Sequence, residues 1–337
     1  SGNLVGIYKS ITNASKKILI GSHIDTVVCG GKYDGIAGVI SGLAIIKSLS
    51  DNDIKLPFDI EVYDYLGEEL NDWNMSCIGS RGICGALSEG MLNRKNSKGI
   101  MLKDEIDRIG GNTKNIDKLL NQFEDVLACF ELHIEQVPVL EDNNLAAGIV
   151  TEIAGATRLT IEIIGKAGHA GTVPLHLRQD ALVTASECIV KLEKIAKASA
   201  NTVITVGEIS IKPGASNVIP GHAKFTVDLR SSENSVRKKV ENELQQALQE
   251  ICTNRKAKLI TTKTHSAEST KCSNEVIKQL ENAFVRSGYP TYFLPSGAGH
   301  DTAAMSDLTE TGMIFFCLLY TSPSPRDRTR SRMPSSA

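Results

Sequence analysis

Three side chains that could bind a metal ion follow one short apolar run near the start of the chain. His23 and Asp25 come directly after the apolar residues 18–20, and Asp34 stands just before a run of small residues that predicts a helix. The apolar run is typical of a buried strand in a parallel sheet, and such sheets carry their sites at the carboxyl ends of the strands. Because residues two apart on a strand point the same way, Asp25 is predicted to accept a hydrogen bond from the second ring nitrogen of His23. Considered alone, such a pair is more often structural than metal-binding.

Two consecutive carboxylates, Glu68 and Glu69, follow a second apolar run at residues 60–66. Their side chains point in different directions at the end of a strand, so one can bind a metal ion while the other faces the water beside it. Metal-assisted hydrolysis needs both roles, a ligand and a general base. The alternative interpretation of an isolated pair is a solvated acidic turn.

Histidines in three further segments are candidates for the same chemistry. His133 follows an apolar run in ELHIEQ, where a lone histidine is more often a hydrogen-bonded core residue than a ligand. His169 lies between small residues that leave its ring accessible. His300 and Asp301 lie in a glycine-rich loop, which can line a site, begin a helix with Asp301 near its cap, or do both.

The elements that must position these residues form two predicted domains. Residues 1–156 and 268–316 contain apolar runs between helical patterns, which predicts an α/β fold: a mostly parallel sheet with helices on both faces. Residues 157–267 show period-two alternation and the order strand, helix, strand, strand, helix, strand. This order predicts an inserted α+β domain, a four-stranded antiparallel sheet with two helices.

Composition narrows the range of partners and compartments. Lys and Arg number 37 against 39 Asp and Glu, so the charge balance gives no indication of nucleic acid or of an anionic membrane as a partner. No apolar run is long enough to span a bilayer. The eight cysteines are scattered without a CxxC pair, which favours reduced thiols in a cytoplasmic protein.

Both ends of the sequence are unusual. Ser1 precedes a core strand almost directly, so we expect that an N-terminal piece of the catalytic domain is missing. Residues 317–337 are rich in Ser, Pro and Arg without any period, and we interpret them as a non-native tail. A natural disordered tail is the alternative.

Eight segments occur in an order that resembles one enzyme family. The segments are GSHIDTV, KYDGIAGV, GEEL, ELHIEQ, GKAGHAGTVP, ASNVIP, VDLRSS and PSGAGHD. Together they resemble the hydantoinase/carbamoylase-type amidases of the M20 metallopeptidase family, a group that includes N-carbamoyl-L-amino acid hydrolases, allantoate amidohydrolases and β-ureidopropionases. The resemblance extends over nearly all of the chain up to residue 316.

The resemblance implies a hydrolase that binds two divalent metal ions, zinc or manganese. By position, the family's metal ligands correspond to His23, Asp34, Glu69 and His133, with Asp34 bridging the two ions. Glu68 corresponds to the general base.

The family also implies substrate contacts from both domains. In the inserted domain, which serves the family as a lid and dimerisation domain, His169 corresponds to a histidine that stabilises the oxyanion. Asn217 and Arg230 correspond to positions that bind the substrate carboxylate, although an ordinary surface salt bridge is the alternative for Arg230. Gln136, Gly297 and Gly299 correspond to further substrate-lining positions. A homodimer is expected from the resemblance alone.

Two departures from the family pattern bear on activity. Many relatives carry an Arg-Phe pair after the two glutamates, where this chain has Asp72 and Trp73. The family's last metal ligand, a histidine after the strand that contains MIFF, has no counterpart before the tail begins. We therefore expect one ion to lack a protein ligand, with weaker metal binding and poor activity in this chain.

The resemblance predicts metal-dependent hydrolysis of a linear C–N bond in a small carboxylate substrate with a ureido or carbamoyl group. An N-carbamoyl-L-amino acid is the first choice, with allantoate or a β-ureido acid as alternatives. An M20 aminopeptidase or dipeptidase is a further alternative, and a non-catalytic dimeric binding protein is another.

Overall fold

The computed structural model describes residues 1–11, 16–27, 30–119 and 123–318. They form two compact units: unit 1 comprises Ser1–Ile153 and resumes at Lys271, and unit 2 is Ala154–Thr270. The predicted non-native tail lies outside the described residues from position 319 onward. No helix in the described part of the chain is both long and apolar enough to cross a membrane.

Unit 1 is built on an eight-stranded sheet. Its strands are β1 (Leu4–Tyr8), β2 (Lys17–Ser22), β3 (Asp59–Asp64), β4 (Val126–Ile134), β5 (Ala147–Ile153), β13 (Thr270–Lys271), β14 (Phe293–Ser296) and β15 (Thr311–Phe316). The order is β1-β3-β2-β4-β15-β5-β13, and β14 pairs with β5. The pairs β2–β3, β2–β4, β4–β15 and β5–β14 are parallel, whereas β1–β3 and β5–β15 are antiparallel. The largely parallel sheet confirms the predicted fold class.

Helices cover both faces of this sheet because side chains alternate along each buried strand. On β2, Ile20 faces helix α1, where Gly42 lets the helix approach closely. Its neighbour Leu19 faces the opposite side and packs with Ile83 and Met305. The helices of unit 1 are α1 (Ile36–Asp51), α2 (Ile78–Ile83), α3 (Glu89–Leu92), α4 (Leu102–Arg108), α5 (Val139–Asp142), α8 (Asn274–Arg286) and α9 (Asp301–Met305).

Unit 2 contains an antiparallel sheet with two helices packed on one face. This sheet contains β6 (Gly155–Ile164), β8 (Thr202–Thr205), β9 (Ile209–Lys212), β11 (His222–Ser231) and β12 (Lys258–Ala267), while β7 (Gly168–His169) and β10 (Val218–Ile219) pair as a separate two-stranded sheet. The helices α6 (Ala181–Ala198) and α7 (Asn234–Asn254) bury residues at helical spacing against the sheet.

The sequence pattern predicts one strand at residues 202–211, and the structure has two strands there, β8 and β9. Both β8 and β9 pair with β11, at different ends of it. Between them the chain bends at Gly207, and the Glu208 amide donates to the hydroxyl of Thr226 at 3.2 Å. The sheet therefore has five strands in four positions.

The chain enters and leaves unit 2 at neighbouring points. Ala156 at the start of β6 lies opposite Ala267 at the end of β12. The first turn of α7 holds both segments. The fully buried Arg237 donates to the Thr157 hydroxyl at 2.5 Å and forms an ion pair with Glu268 at 3.2 Å.

Candidate metal centre

The carboxyl ends of two adjacent parallel strands and a nearby loop bring together three side chains that could hold a metal ion. His23 follows the end of β2, and His133 is the penultimate residue of β4. Asp34 comes from the loop that leads into α1. One ligand atom from each of the three lies within 4.8 Å of the other two, and all three residues are buried. The sequence motifs thus converge at the sheet edge where they were expected.

The hydrogen bonds of the two imidazoles define which nitrogens face each other. Nδ1 of His23 lies 2.8 Å from the carbonyl oxygen of Asp25, and Nδ1 of His133 lies 2.8 Å from that of Ile134. A carbonyl oxygen only accepts, so both Nδ1 atoms carry the proton and both Nε2 atoms present lone pairs. These two Nε2 atoms are 3.4 Å apart, and His133 Nε2 is 3.3 Å from an Asp34 oxygen.

Three converging lone-pair donors repel one another unless a cation or a proton lies among them. Burial opposes protonation of His133, but the Asp34 carboxylate, which would accept a hydrogen bond from a protonated Nε2, and the nearby Glu131 carboxylate outweigh this and raise its pKa. Two imidazole nitrogens and one carboxylate form a donor set that suits zinc or manganese. The residues present therefore fit a divalent metal ion.

Gly35 makes the approach of His23 to Asp34 possible. Its φ is +69°, and a methyl group at this position would lie 2.4–2.5 Å from three atoms of the His23 ring. Any side chain would displace the imidazole, and the left-handed backbone favours glycine independently. Glycine at position 35 is therefore required both by the His23 ring and by the backbone at the start of α1.

Asp25 contacts His23 through a different atom from the one predicted. Its carboxylate is 3.7 Å from His23 Nδ1, whereas its backbone carbonyl accepts the 2.8 Å hydrogen bond. The carboxylate instead accepts the backbone N–H groups of Glu68 at 3.2 Å and Glu69 at 3.1 Å. The prediction was wrong in this detail because β2 ends at Ser22 and the alternation of a strand no longer holds beyond it.

Glu68 is a buried carboxylate beside the three ligands. Its Oε2 atom lies 3.7 Å from Nε2 of His23. Burial, and after it the nearby carboxylates of Asp301 and Glu69, raise the pKa of Glu68 well above its ordinary value. Glu69 is half-buried and does not belong to the group of three atoms within 4.8 Å.

Two further buried carboxylates, Glu131 and Asp301, lie close to these residues. Glu131 accepts hydrogen bonds from the hydroxyl of Ser22 at 3.1 Å and from the N–H and hydroxyl of Thr302 at 3.0 and 2.6 Å. Asp301 is fully buried and accepts a 2.5 Å bond from Ser80. Burial and the Glu131 carboxylate raise the pKa of Asp301 well above its ordinary value.

No sequence pattern predicts a role for Ser80, Thr302 or Glu131. The signal was weak, because Ser80, Thr302 and Glu131 come from distant parts of the chain. His300 also lies here, with its Nε2 2.8 Å from the Ser296 hydroxyl and its ring 4.6 Å from that of His133. Both interpretations of the loop hold for Asp301, since it begins α9 and also lies near the site.

The predicted substrate-lining positions of unit 1 lie in two loops. Gln136 has a left-handed backbone with φ of 61° and donates to Asp34 at 2.9 Å. A left-handed glutamine is uncommon and implies that the surrounding structure fixes this backbone. A methyl group at Gly297 or Gly299 would meet no heavy atom of the described chain within 4 Å. The loop that contains them is therefore open.

In unit 2, pairing of two short strands brings His169 and Asn217 together. His169 on β7 lies opposite Val218 on β10, and the Asn217 carbonyl accepts the N–H of Ala170 at 3.0 Å. Both side chains are exposed. The His169 ring accepts the N–H of Gly171 through Nδ1 at 3.2 Å, which leaves Nε2 as the protonated nitrogen of the neutral ring.

Arg230 forms a two-point ion pair within unit 2. Its Nε and Nη2 each donate to Asp228 at 3.0 Å, and Arg158 donates to the same carboxylate at 3.2 Å. Partial burial opposes ionisation of Asp228, but the two guanidinium groups lower its pKa. The salt-bridge alternative for Arg230 is thus realised in this structure.

Comparisons with known proteins identify the family. The model of the M20 peptidase dimerisation domain matches residues 151–256. The N-carbamoyl-L-amino-acid amidohydrolase of Pseudomonas sp. (strain NS671) is 34% identical over 331 residues, which are 97% of this chain and 80% of that protein. Allantoate deiminase 1 of Glycine max is 35% identical over 347 residues, with 93% of this chain and 71% of that protein covered.

Solved structures agree with the sequence relatives. The crystal structure of a hydantoinase/carbamoylase family amidase from Burkholderia multivorans matches with a TM-score of 0.84 and 30% identity. The match covers 94% of this chain and 76% of that one. These similarities confirm the resemblance inferred from the eight sequence segments. The chain therefore belongs to the hydantoinase/carbamoylase-type amidases of the M20 metallopeptidase family.

Proposed function

We propose that this chain hydrolyses the linear C–N bond of an N-carbamoyl-L-amino acid, releasing the amino acid, ammonia and carbon dioxide. The observation that carries the proposal is the convergence of His23, Asp34 and His133 to within 4.8 Å, with a buried carboxylate beside them. Similarity to amidohydrolases named for this substrate class supports the choice of bond.

His23, Asp34 and His133 are the proposed ligands of one divalent ion, zinc or manganese. Glu69 and the second oxygen of Asp34 are the proposed ligands of another. When bound, such ions lower the pKa of a water molecule and polarise the carbonyl of the substrate. The Asp25 carboxylate, which holds the backbone of Glu69, keeps this ligand in place.

Glu68 is the proposed general base. Burial and the neighbouring carboxylates raise its pKa, which favours proton uptake by the carboxylate, and its Oε2 atom faces the ligand cluster. The carboxylate takes a proton from the attacking water and transfers it to the departing nitrogen. Glu68 then returns to its ionised form, so one catalytic cycle leaves its charge unchanged.

The proposed substrate contacts come from both units. His169 donates from Nε2 to the developing oxyanion, and Asn217 and Arg230 bind the substrate carboxylate. Because Arg230 already pairs with Asp228, the substrate competes with that residue for the guanidinium. Further positions that line the substrate are Gln136, Gly297 and Gly299.

Two further properties belong to the same proposal. The match to the M20 dimerisation domain supports a homodimer that assembles through unit 2. The described cysteines are all thiols, which supports a reducing, cytoplasmic environment.

Allantoate is the second candidate substrate. The similarity to allantoate deiminases is as high as the similarity to the carbamoyl amino acid enzymes. Allantoate also combines a carboxylate with ureido groups, so the same contacts would accept it.

Ammonia release tests the proposal. N-carbamoyl-L-amino acids, N-carbamoyl-β-alanine, allantoate and a dipeptide panel would each be incubated with zinc or manganese, and again with a chelator. We expect metal-dependent ammonia release, fastest from an N-carbamoyl-L-amino acid. Fastest release from allantoate would favour the second candidate. Cleavage of dipeptides alone would favour a peptidase. Absence of both ammonia release and dipeptide cleavage would favour a binding protein.

Glu68→Gln separates catalysis from binding. This change removes the base while keeping the size of the side chain, so we expect turnover to fall by at least about a hundredfold. Substrate binding, measured by calorimetry, should persist. Turnover that survives the substitution would contradict the assigned role of Glu68.

A further inference from the structure

The two oxygens of Glu68 have different neighbours. Oε2 lies 3.7 Å from Nε2 of His23, on the side of the ligand cluster. Oε1 lies 3.6 Å from the sulfur of Cys77, which is buried. One oxygen thus faces the reacting groups while the other faces a thiol.

Cys77 reaches this place through a short paired segment at the start of α2. Its own N–H donates to the Glu68 carbonyl at 2.9 Å. The next two N–H groups, of Ile78 and Gly79, donate to the carbonyls of residues 67 and 66 at 3.0 and 2.7 Å. Side-chain and backbone contacts therefore both join Cys77 to Glu68.

The backbone at Cys77 indicates that this pairing is enforced. Its φ and ψ are 55° and 43°, a left-handed conformation that a cysteine seldom adopts. A methyl group at Gly79 would lie 2.4 Å from the backbone nitrogen of Leu66, so a side chain there would force the two segments apart. The surrounding structure holds Cys77 in an unfavourable conformation that keeps its thiol against Glu68.

The thiol acts as the donor in this contact. Burial, and after it the charge of Glu68, raise the pKa of Cys77 well above its ordinary value, so the sulfur keeps its proton. An S–H group is a weak donor, and a carboxylate oxygen is its natural acceptor. A weak donor orients the carboxylate while withdrawing little of its negative charge.

Orientation matters here because other carboxylates surround Glu68. Asp301, Glu69 and Glu131 repel its charge. The Cys77 contact is attractive and lies on the side away from His23.

We propose that Cys77 is a positioning residue for the general base: its S–H donates to Oε1 of Glu68 and thereby directs Oε2 toward His23 and the metal ligands. The inference rests on the proposed function of Glu68. Cys77 itself does not touch the substrate or exchange protons with it.

Kinetics of three variants test the proposal. Cys77→Ala removes the donor, and we expect kcat to fall roughly threefold to tenfold while KM changes less than about twofold. Cys77→Ser restores a donor and should recover most of kcat. Cys272→Ala removes another buried thiol of unit 1 and should leave kcat unchanged. Equal losses in the alanine and serine variants, or none in either, would overturn the proposal.

An infrared measurement tests the contact without any substrate. The S–H stretching band that disappears in Cys77→Ser belongs to Cys77. In Glu68→Gln, this band should move to higher frequency, because a neutral amide accepts more weakly than a carboxylate. A band that stays in place would overturn the proposal even if the enzyme is active. An inactive wild-type protein with a shifted band would overturn the proposed function and leave the Cys77–Glu68 contact established.

Discussion

At the residue scale, the site depends on which nitrogen of each histidine carries the proton. Backbone carbonyls of Asp25 and Ile134 hold both Nδ1–H groups, so the Nε2 lone pairs of His23 and His133 meet at 3.4 Å. This arrangement costs free energy in the metal-free protein and is relieved by a bound cation. The two backbone carbonyls thus leave both Nε2 lone pairs available to a cation.

Metal addition should stabilise the protein through these atoms. Zinc or manganese at a thousandfold excess over its Kd should add about 4 kcal/mol to the free energy of unfolding. His133→Ala should remove most of this gain. His222→Ala, which removes a histidine that bonds to Glu162 in unit 2, should keep it. Urea unfolding with and without a chelator measures both variants, and equal gains would contradict the assigned ligands.

The sequence could predict which residues meet at the site but not every atom that makes the contact. The family resemblance implied His23, Asp34, Glu69 and His133 as ligands, and the structure brings His23, Asp34 and His133 to within 4.8 Å of one another without Glu69. The switch of Asp25 from carboxylate to carbonyl could not be predicted, because it depends on where β2 ends. The contact of Asp301 with Ser80 depends on the packing of distant segments, and the contact of Cys77 with Glu68 depends on a left-handed turn that has no sequence signature.

At the element scale, the start of α1 is constrained by the ring of His23. Gly35→Ala should weaken metal binding at least about tenfold, because the added methyl displaces the imidazole. It should also cost about 1 kcal/mol for the left-handed backbone. Gly288→Ala is the matched control, since Gly288 has a similar φ of +74° with open space around it. Calorimetric titration with zinc should show unchanged affinity in the control, and a similar loss in both variants would contradict the steric argument.

The edge strand β1 depends on one carboxylate on its neighbour β3. Asp59 accepts from the Lys9 ammonium at 2.8 Å and from the N–H of Ser10 at 2.7 Å. The Lys9 and Ser10 hydrogen bonds lower its pKa in the folded protein below the ordinary value of 3.8. Its stabilisation is therefore complete above pH 3.8 and is lost as the pH falls through the folded pKa.

Asp59→Asn should destabilise the protein by about 1 kcal/mol at pH 7, and the difference should shrink at pH values below 3.8. Asp51→Asn removes an exposed ion pair with Lys47 and should change little at either pH. Urea unfolding at pH 7 and at acid pH measures the two variants. A difference for Asp59→Asn that grows on acidification would contradict the assigned sign.

Long, strongly patterned elements could be predicted from the sequence, and short ones could not. At residues 274–287 apolar residues recur at helical spacing and predict a helix, which forms as α8. The glycines of segment 76–85 predict a loop that runs into a helix, yet α2 forms within this segment at Ile78–Ile83. This helix is stabilised by backbone bonds to the turn that contains Glu68 and by burial of its apolar side chains, and neither has a local signature.

At the scale of the whole molecule, one buried guanidinium holds both ends of unit 2. Arg237→Met should lower the free energy of unfolding by about 3 kcal/mol, because it removes the contacts to Thr157 and Glu268. Lys238→Met is the control: Lys238 pairs with the same Glu268 at 3.2 Å but is exposed, so its loss should cost less than about 1 kcal/mol.

Urea unfolding and limited proteolysis near residues 267–271 measure this effect. Faster cleavage in Arg237→Met than in the control would show that the returning segment has been released. Equal behaviour of the two variants would contradict a role for Arg237 in holding the chain ends.

The pairing of Ala156 with Ala267 also has a consequence for how such a protein can be rebuilt. Two residues opposite each other in a sheet are only about 5 Å apart, so a few residues can connect them. Closing so short a gap costs little chain entropy. We therefore expect that the gene segment for unit 2 can be deleted, exchanged between relatives, or expressed alone with its ends joined. The two parts of unit 1 remain encoded on either side of this segment.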